Sequence, residues 1–278
     1  MEASTVDMVG LGGNPKVQLQ AGRALREQIR AGTWLKRTTG MARGVVQGNL
    51  VILPEAHAPD FQKFCEDNPK PCPLIGITEP GNPNVPALGD DIDLRTDLGG
   101  YLIFENGKTT EEVSNINDYW RADLVGFVLG CSNSFEEALM GGGLNVRHIE
   151  NGTKASVYLT NVPTKAVGPF SGPTIVSMRP FTPPDAIRAI EITSRFPDVH
   201  GAPIHFGDPS MIGISDITKT YYGPSPEIRP GEVPVFWACG ITPQAILKEA
   251  KLPLAITHSP GHMLMTDKLT AEFSTKKP

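Results

Sequence analysis

Residues 233–244, Val-Pro-Val-Phe-Trp-Ala-Cys-Gly-Ile-Thr-Pro-Gln, predict a strand that turns sharply into a helix. The apolar run from Val233 to Ala238 has the length of a strand, and Thr242 followed by Pro243 is typical of an N-cap and a first helical position. The same order recurs upstream, where the apolar run from Asp123 to Leu129 leads through Gly130-Cys131-Ser132 to a helix opened by a capping-box pattern, Ser134 with Glu137. Strands that alternate with helices predict an α/β fold with a mixed, partly parallel sheet flanked by helices.

Further out along the chain, hydrophobic periodicity predicts more elements of both kinds. Helices are expected at residues 16–31, 58–67 and 183–195, and strands at residues 48–53, 73–78, 101–105, 154–160, 174–178 and 254–257. We expect one main α/β domain, formed by residues 1–135 and 205–278, and a smaller inserted α+β module at residues 136–204.

The composition argues against several classes of protein. Of the 278 residues, 40% are hydrophobic and 20% are charged, which is ordinary for a folded domain. The net charge is -5 and the 25 Lys and Arg residues are scattered, so no basic stripe is available to bind nucleic acid. The apolar runs are far shorter than the ~20 residues that cross a bilayer, and the acidic N-terminus does not resemble a signal peptide. We expect a cytoplasmic protein without nucleic-acid or membrane partners, and the sequence leaves open whether it forms a homo-oligomer.

Two of the four cysteines follow predicted strands and precede predicted helices. Cys131 and Cys239 each stand at such a corner, where a helix N-terminus presents unpaired N–H groups and favours a thiolate. A reactive cysteine is therefore physically reasonable at either position, and the alternative is that both pack as small hydrophobic residues. No Cys-x-x-Cys pair occurs, so we expect free thiols.

Four of the six histidines fall in two short segments rich in Gly and Pro: His200, His205, His258 and His262. Imidazoles on loops near Asp208 or Asp267 suit general acid–base catalysis close to neutral pH. Metal binding together with Cys239 is an alternative, although the spacing fits no standard pattern. A third interpretation is that these histidines hydrogen-bond the backbone of their loops.

Of the remaining motifs, one arginine is well placed and several cofactor motifs fail. Arg179 follows the predicted strand 174–178 and could bind a carboxylate bidentately, with a surface salt bridge as the alternative. Gly10-Leu11-Gly12-Gly13 lies too near the start of the chain to follow a strand, so a dinucleotide fingerprint has little support. Neither a G-x-x-x-x-G-K-[ST] loop nor a G-x-S-x-G motif occurs. We expect no cofactor.

Long segments of the chain, in the same order, resemble the D-glutamate cyclase family of bacterial hydro-lyases over most of residues 20–268. The residues that carry the resemblance are Gln47-Gly48-Asn49-Leu50-Val51-Ile52-Leu53-Pro54, Asn68-Pro69-Lys70-Pro71-Cys72-Pro73-Leu74, Gly130-Cys131-Ser132 with Ser134-Phe135-Glu136, Val176-Ser177-Met178-Arg179-Pro180, His200-Gly201-Ala202-Pro203 with His205, Gly207-Asp208-Pro209, Val233 to Gly240 with Thr242-Pro243-Gln244, and Thr257-His258 with Pro260-Gly261-His262-Met263 and Thr266-Asp267.

The resemblance implies a two-part α/β architecture and a lyase that removes water from D-glutamate to give 5-oxo-D-proline. That reaction needs a base, a site for the oxyanion and an acid for the departing oxygen. We expect His205 or His258, with Asp208 or Asp267, to manage protons, and the helix starts after Cys131 and Cys239 to hold carboxylate oxygens. Glu136 is a second acid–base candidate and Arg179 the carboxylate anchor. Further substrate-binding candidates are Gln47, Asn49, Ser132, His200, Thr242, Gln244 and His262.

The sequence departs from the family pattern at four positions. Gly99-Gly100 stands where members usually carry Pro-Arg, Asn133 replaces a Phe, and Leu159 stands where an Arg is usual. Each missing arginine could have bound a carboxylate, so the sequence leaves open a substrate other than glutamate. Two alternatives to a hydro-lyase follow: a protein that binds a small carboxylate without catalysis, and a metal-dependent hydratase or hydrolase.

Overall fold

The computed structural model describes residues 13–275, so that of Gly10–Gly13 only Gly13 is included. Within these residues the helices are α1 (Pro15–Arg30), α2 (Ala58–Asp67), α3 (Asn133–Gly141), α4 (Arg147–Glu150), α5 (Pro183–Thr193) and α6 (Thr242–Ala250). The strands are β1 (Val45–Pro54), β2 (Leu74–Ile77), β3 (Tyr101–Glu105), β4 (Lys108–Val113), β5 (Leu124–Gly130), β6 (Ser156–Pro163), β7 (Pro173–Phe181), β8 (His205–Phe206), β9 (Val233–Ala238), β10 (Ala255–His258) and β11 (Leu264–Leu269).

The strands form two sheets. The seven-stranded sheet has the order β2-β5-β1-β10-β3-β4, with β11 also paired to β1. The four-stranded sheet has the order β6-β7-β9-β8 and takes its strands from both sides of residue 204. The division of the chain into a main domain and a module at residues 136–204 remains a prediction.

Both sheets are antiparallel in every strand pair that the described residues form, so the expectation of a partly parallel sheet is wrong. The prediction rested on near-continuous apolar strands, which are typical of parallel sheets because both faces of such sheets are covered. Here an antiparallel sheet has both faces covered. Val51 and Leu53 of β1 pack on one face with Phe61 of α2, while Leu50 and Ile52 pack on the other.

The helix starts near the two cysteines differ from the predicted caps. Ser134 does not cap α3, because its Oγ accepts a hydrogen bond from the N–H of Gln47 (2.9 Å) on the neighbouring β1. Thr242 lies within the first turn of α6 and its hydroxyl donates to the carbonyl of Cys239 (2.8 Å). Each hydroxyl therefore hydrogen-bonds a strand or the residue that follows one, and neither caps the first turn of its own helix.

The topology brings three strand ends together. β5 ends at Gly130, just before Cys131, and β9 ends at Ala238, just before Cys239. β10 ends at His258, and β7 carries Arg179 one strand away from β9 in the four-stranded sheet. Residues from both sheets thus line a common pocket.

Candidate active site

The pocket between the sheet ends contains six of the catalytic and substrate-binding candidates named from the sequence: Asn49, Cys131, Ser132, Arg179, Cys239 and His258. Its empty volume is about 590 Å³, including the open mouth. Val157, Ile241 and Met263 add apolar surface, while Ser177, Lys154 and Tyr222 add polar atoms. A small polar ligand therefore has both apolar walls and a few convergent polar groups, as small-molecule sites usually do.

Arg179 lies at the buried side of this pocket and is 1% exposed. Its Nε donates to Oε1 of Glu136 (3.0 Å), and its Nη2 also contacts that oxygen. The guanidinium lies over the rings of Phe135 and Trp237, 5.2 and 5.4 Å from their centres. Arg179 is thus held by a carboxylate on one edge and by two aromatic faces. The surface salt bridge considered as an alternative is ruled out by this burial.

Glu136 is the ion-pair partner of Arg179 and is only 4% exposed. His148 Nε2 lies 3.1 Å from the same Oε1 atom. Burial acts to raise the pKa of the Glu136 carboxyl, but the charges and hydrogen bonds of His148 and Arg179 outweigh it and lower the pKa to about 2. The carboxylate is therefore ionised throughout the physiological range, and its Oε1 atom positions Arg179.

Two serine hydroxyls connect Arg179 to the pocket. Ser177 Oγ accepts from Nη1 of Arg179 (3.0 Å), and Ser132 Oγ accepts from Nη2 (3.3 Å). A serine that accepts a hydrogen bond keeps its own O–H hydrogen for another partner. Both serines line the pocket, so each can donate a hydrogen bond, strengthened by the cation behind it, to an anionic ligand.

Cys131 and Cys239 occupy equivalent corners. The backbone N–H of Asn133 hydrogen-bonds to Cys131 and that of Ile241 to Cys239, two residues along in each case. Burial nevertheless raises the pKa of the Cys131 thiol to about 12 and raises that of Cys239 as well, while the positive charge of Arg179 acts in the opposite direction on both. The sequence expectation of a thiolate favoured by the helix end is therefore not met, because desolvation outweighs the N–H contacts.

His258 is buried, and the Nδ1 atom of its ring contacts the backbone of Leu50. Nδ1 lies 3.1 Å from the N–H of Leu50 and 3.4 Å from the carbonyl oxygen of the same residue. The shorter contact is to a donor, so we assign Nδ1 as an acceptor, which leaves the ring proton on Nε2. Burial lowers the pKa of His258 to about 4, and hence the imidazole is neutral at pH 7. A neutral ring with Nε2–H is a hydrogen-bond donor in the pocket.

Three other predicted residues support the site without lining it. Gln244 Nε2 donates to the carbonyl of His258 (2.9 Å), and Thr242 fastens α6 to the strand end at Cys239. Gln47 Oε1 accepts from Asn133 Nδ2 (3.3 Å).

Asn49 lies in the lining and donates to the carbonyl of Gly130 (3.0 Å). Gly240 is required next to it, because a Cβ there would collide with the amide of Asn49.

The remaining predicted residues lie away from the pocket lining. His205 Nε2 contacts the carbonyl oxygen of Asp208 (2.7 Å), and the carboxylate of Asp208 is exposed and accepts from the N–H of Ser210. His200 Nδ1 donates to the carbonyl of Lys70 (2.6 Å), which is the loop-backbone role considered from the sequence. The carboxylate of Asp267 pairs with Arg26 (2.9 Å) and Arg23 (3.0 Å) of α1. His262 lies beside Gly100, where a Cβ would be 2.6 Å from Nδ1.

Sequence reasoning did not predict five polar residues of the pocket lining as site residues: Thr39, Asn133, Lys154, Ser177 and Tyr222. Ser177 precedes Arg179 by two positions on β7, and residues two apart share a face of a strand, so this residue could have been found. Lys154 Nζ donates to Oη of Tyr222 (3.1 Å) and lies 4.9 Å from the centre of its ring. These two come from different loops, and no local pattern signals their meeting.

The part of the chain that the structure describes has neither a candidate metal cluster nor a candidate membrane span. In residues 13–275, no group of three or more His, Cys, Asp or Glu side chains is arranged to hold a metal ion. Over the same range, no helix has both the length and the apolar character needed to cross a membrane.

Comparison with known proteins gives consistent matches along the chain. The family model described as D-glutamate cyclase matches residues 125–267. A relative named "Putative hydro-lyase Bpet2233" from Bordetella petrii is 52% identical over 92% of this chain and 97% of the relative. Another, named "Putative hydro-lyase" from Rhodopseudomonas palustris, is 56% identical over 87% of this chain and 89% of the relative.

A solved structure, that of the nitrogen repressor-like protein MJ0159 from Methanococcus jannaschii, covers 83% of this chain and 89% of that chain at 12% identity and a TM-score of 0.34. A score that low supports no inference about this protein.

Proposed function

Because this chain belongs to the D-glutamate cyclase family, we propose that it is a hydro-lyase that acts on a small amino-acid-like carboxylate. The substrate pair we propose is D-glutamate and 5-oxo-D-proline, which differ by one molecule of water. One observation carries the proposal beyond the family: a single pocket has anion-binding groups at two points, Arg179 with its two serines and Lys154. A dicarboxylate has an anionic group for each.

The α-carboxylate of the substrate is held by the serines in front of Arg179. Ser132 and Ser177 accept from the guanidinium and donate their own O–H groups to the carboxylate oxygens. Glu136 occupies the other edge of the guanidinium, so a substrate carboxylate does not form a bidentate pair with Arg179 itself. Arg179 therefore acts mainly by charge and by orienting the hydroxyls.

The distal carboxyl group lies toward Lys154 and His258 in this proposal. Lys154 attracts the anion, and Nε2–H of His258 donates a hydrogen bond to one of its oxygens. A neutral imidazole that donates to an oxygen on which negative charge grows stabilises the tetrahedral intermediate. The role proposed for His258 is thus a fixed donor, since its pKa of about 4 keeps the ring neutral at pH 7.

Ring closure also needs a neutral amine and a proton for the departing oxygen. The apolar lining from Val157, Ile241 and Met263 disfavours a charged ammonium group and so favours the neutral amine. Burial keeps the thiols of Cys131 and Cys239 protonated, and a protonated thiol beside the reacting carboxyl group can give up its proton to the departing oxygen. The water released is the second product.

The proposal is tested with purified protein and four compounds in separate NMR time courses: D-glutamate, L-glutamate, 5-oxo-D-proline and 5-oxo-L-proline. We expect conversion within the D pair. His205→Asn, which changes a histidine outside the pocket, is expected to convert as fast as the wild type. Absence of conversion in a folded protein would contradict the proposal and would favour a carboxylate-binding protein without catalysis.

A further inference from the structure

The two pocket cysteines are related in a way that ring closure does not require. Each follows the last residue of a strand, each accepts a hydrogen bond from the N–H two residues along, and each precedes a helix. Cys131 comes from the seven-stranded sheet and Cys239 from the four-stranded sheet, so one thiol enters the pocket from each sheet. Cyclisation needs one proton donor, yet the pocket has two matched thiols.

The surroundings of these thiols differ from those of the two core cysteines. Cys65 and Cys72 pack in an apolar cluster with Phe61 and Phe64. Cys131 and Cys239 line a pocket whose buried cation, Arg179, acts on both of them. All four are free thiols in the structure. Cys131 and Cys239 also pack against apolar neighbours, Met263 and Val157 respectively, but unlike the core pair they line a pocket that contains an anion site.

The two pocket thiols are also electrostatically linked. A negative charge on Cys239 raises the pKa of Cys131. When one thiol is ionised, the other is thus held protonated, which gives one base and one acid in the same pocket. Burial keeps the resting thiols protonated, so the thiolate is a minor species that the charge of Arg179 favours. Once formed, this thiolate is a strong base, which a weakly acidic C–H bond next to a carboxylate requires.

We propose that Cys131 and Cys239 form an acid–base pair at the α-carbon of the bound amino-acid-like carboxylate, and that the protein exchanges the α-proton with solvent and interconverts the two enantiomers. This second activity rests on the proposed function only in using the same anion site of Arg179, Ser132 and Ser177. It adds a stereochemical step that loss of water does not need.

The step balances without an oxidant, a reductant or a cofactor. The thiolate of one cysteine removes the α-hydrogen as a proton and becomes a thiol, and the C–H electron pair moves into the carboxylate to give an ene-diolate. The serine hydroxyls and the charge of Arg179 stabilise the added charge on its oxygens. The thiol of the other cysteine then donates its proton to the α-carbon, forms the new C–H bond and becomes the thiolate. The α-carbon now has the opposite configuration, and the negative charge has moved from the first cysteine to the second.

The test follows the α-proton in deuterium oxide by proton NMR and separates the two enantiomers by chiral chromatography with mass detection, with D-glutamate, L-glutamate and both enantiomers of 5-oxo-proline as probes. With the wild type we expect the α-proton signal to decay and the opposite enantiomer to appear carrying deuterium at the α-carbon. The wild type alone is enough to show this pattern. The second thiol has exchanged its hydrogen for deuterium from the solvent, so it delivers deuterium to the α-carbon of the inverted product. Retention of every α-proton in all four probes would overturn the proposal.

Variants separate the thiols from the rest of the pocket. Cys131→Ser and Cys239→Ser each remove one thiol while keeping a small polar side chain, and each is expected to slow enantiomer interconversion by about 100-fold or more. Circular dichroism checks that they fold. Interconversion at the wild-type rate in both folded variants would overturn the assignment. Conversion between glutamate and 5-oxo-proline is read from different signals, so α-proton exchange without ring closure would refute the proposed function alone, and ring closure without exchange would refute this inference alone.

Discussion

Glu136 holds Arg179 and His148 through a single carboxylate oxygen: Oε1 accepts from Nε of Arg179 at 3.0 Å and lies 3.1 Å from Nε2 of His148. With that edge of the guanidinium occupied, Nη1 and Nη2 remain directed at the hydroxyls of Ser177 and Ser132. The orientation of the pocket donors therefore depends on a carboxylate that does not itself line the pocket.

Replacing this carboxylate should lower the free energy of unfolding. Glu136→Gln leaves Arg179 buried without a counter-charge, and breaking one side of a buried pair costs about 3–5 kcal/mol of unfolding free energy. Urea denaturation measures the change. Glu137→Gln on the same helix is the matched control and should change the unfolding free energy by about 0.5 kcal/mol or less, as other partly exposed substitutions do. Equal losses in the two variants would contradict the role of Glu136.

The serines in front of Arg179 should govern substrate affinity. Ser132→Ala and Ser177→Ala each remove one donor to an anionic ligand, and such a hydrogen bond is worth about 1.5–3 kcal/mol. We expect KM for the carboxylate substrate to rise about ten- to a hundredfold in each variant. Ser194→Ala, at the exposed C-terminal end of α5, serves as the control. A KM unchanged by both pocket substitutions would contradict an anion site at Arg179.

Lys154 should distinguish the two proposed substrates. Lys154→Met keeps an unbranched side chain but removes the charge, so D-glutamate, with two carboxylates, should lose more affinity than 5-oxo-D-proline, with one. We expect a difference of about tenfold between the two dissociation constants, as one charge-assisted hydrogen bond predicts. Calorimetric titration of both compounds provides the measurement and its internal control. Equal weakening of the two would place the distal carboxylate elsewhere.

At neutral pH, His258→Asn should slow the chemical step without unfolding the protein. In His258→Asn the side-chain oxygen can still accept from the N–H of Leu50, whereas the Nε2–H donor is lost. Loss of a donor to a growing oxyanion lowers kcat by about 10²–10³-fold. His205→Asn is the matched control, because His205 contacts the carbonyl of Asp208 outside the pocket. A folded His258→Asn variant with wild-type kcat would remove His258 from the mechanism.

Two buried histidines make the fold sensitive to mild acid. Burial lowers the pKa of His200 and of His258 to about 4, below the ordinary value of 6.5. The unfolded chain therefore binds protons that the folded chain does not, so stability is complete above about pH 6.5 and falls as the pH drops toward 4. Each histidine contributes on the order of 3 kcal/mol to this loss.

The acid sensitivity is measured as Tm against pH. His200 has a left-handed backbone (φ 81°), which asparagine tolerates, and the amide of asparagine can still donate to the carbonyl of Lys70. His200→Asn should therefore fold and show a shallower fall in Tm between pH 6.5 and 4. A slope equal to that of the wild type would show that His200 does not titrate in this window.

Local sequence predicts most of the helices and strands and six of the residues that line the pocket. It misses β4, β8, β11 and α4, and it does not predict the strand pairing. The run from Val233 to Ala238 is a strand with the expected bounds, and the corners after it and after Gly130 bring Cys239 and Cys131 into one pocket. Antiparallel pairing joins segments far apart in the chain, such as β1 with β10, and no local periodicity encodes which segments meet.

The same limit explains which side chains were misjudged. Asp267 was expected at the site, but α1, about 240 residues earlier, supplies Arg23 and Arg26 that bind its carboxylate. Lys154 meets Tyr222 across 68 residues of chain. Leu159 is 46% exposed and is absent from the pocket lining, so the departure from the family pattern expected at this position lies outside the site.

The proposed reaction is tested most directly with D-glutamate that carries oxygen-18 in both oxygens of its distal carboxyl group. Loss of water by ring closure should yield 5-oxo-D-proline that keeps one labelled oxygen, with the other released as labelled water, and mass spectrometry of both products reads the outcome. Absence of labelled 5-oxo-D-proline and of labelled water, with the wild-type protein folded and in molar excess over contaminants, would contradict a hydro-lyase that acts on this substrate.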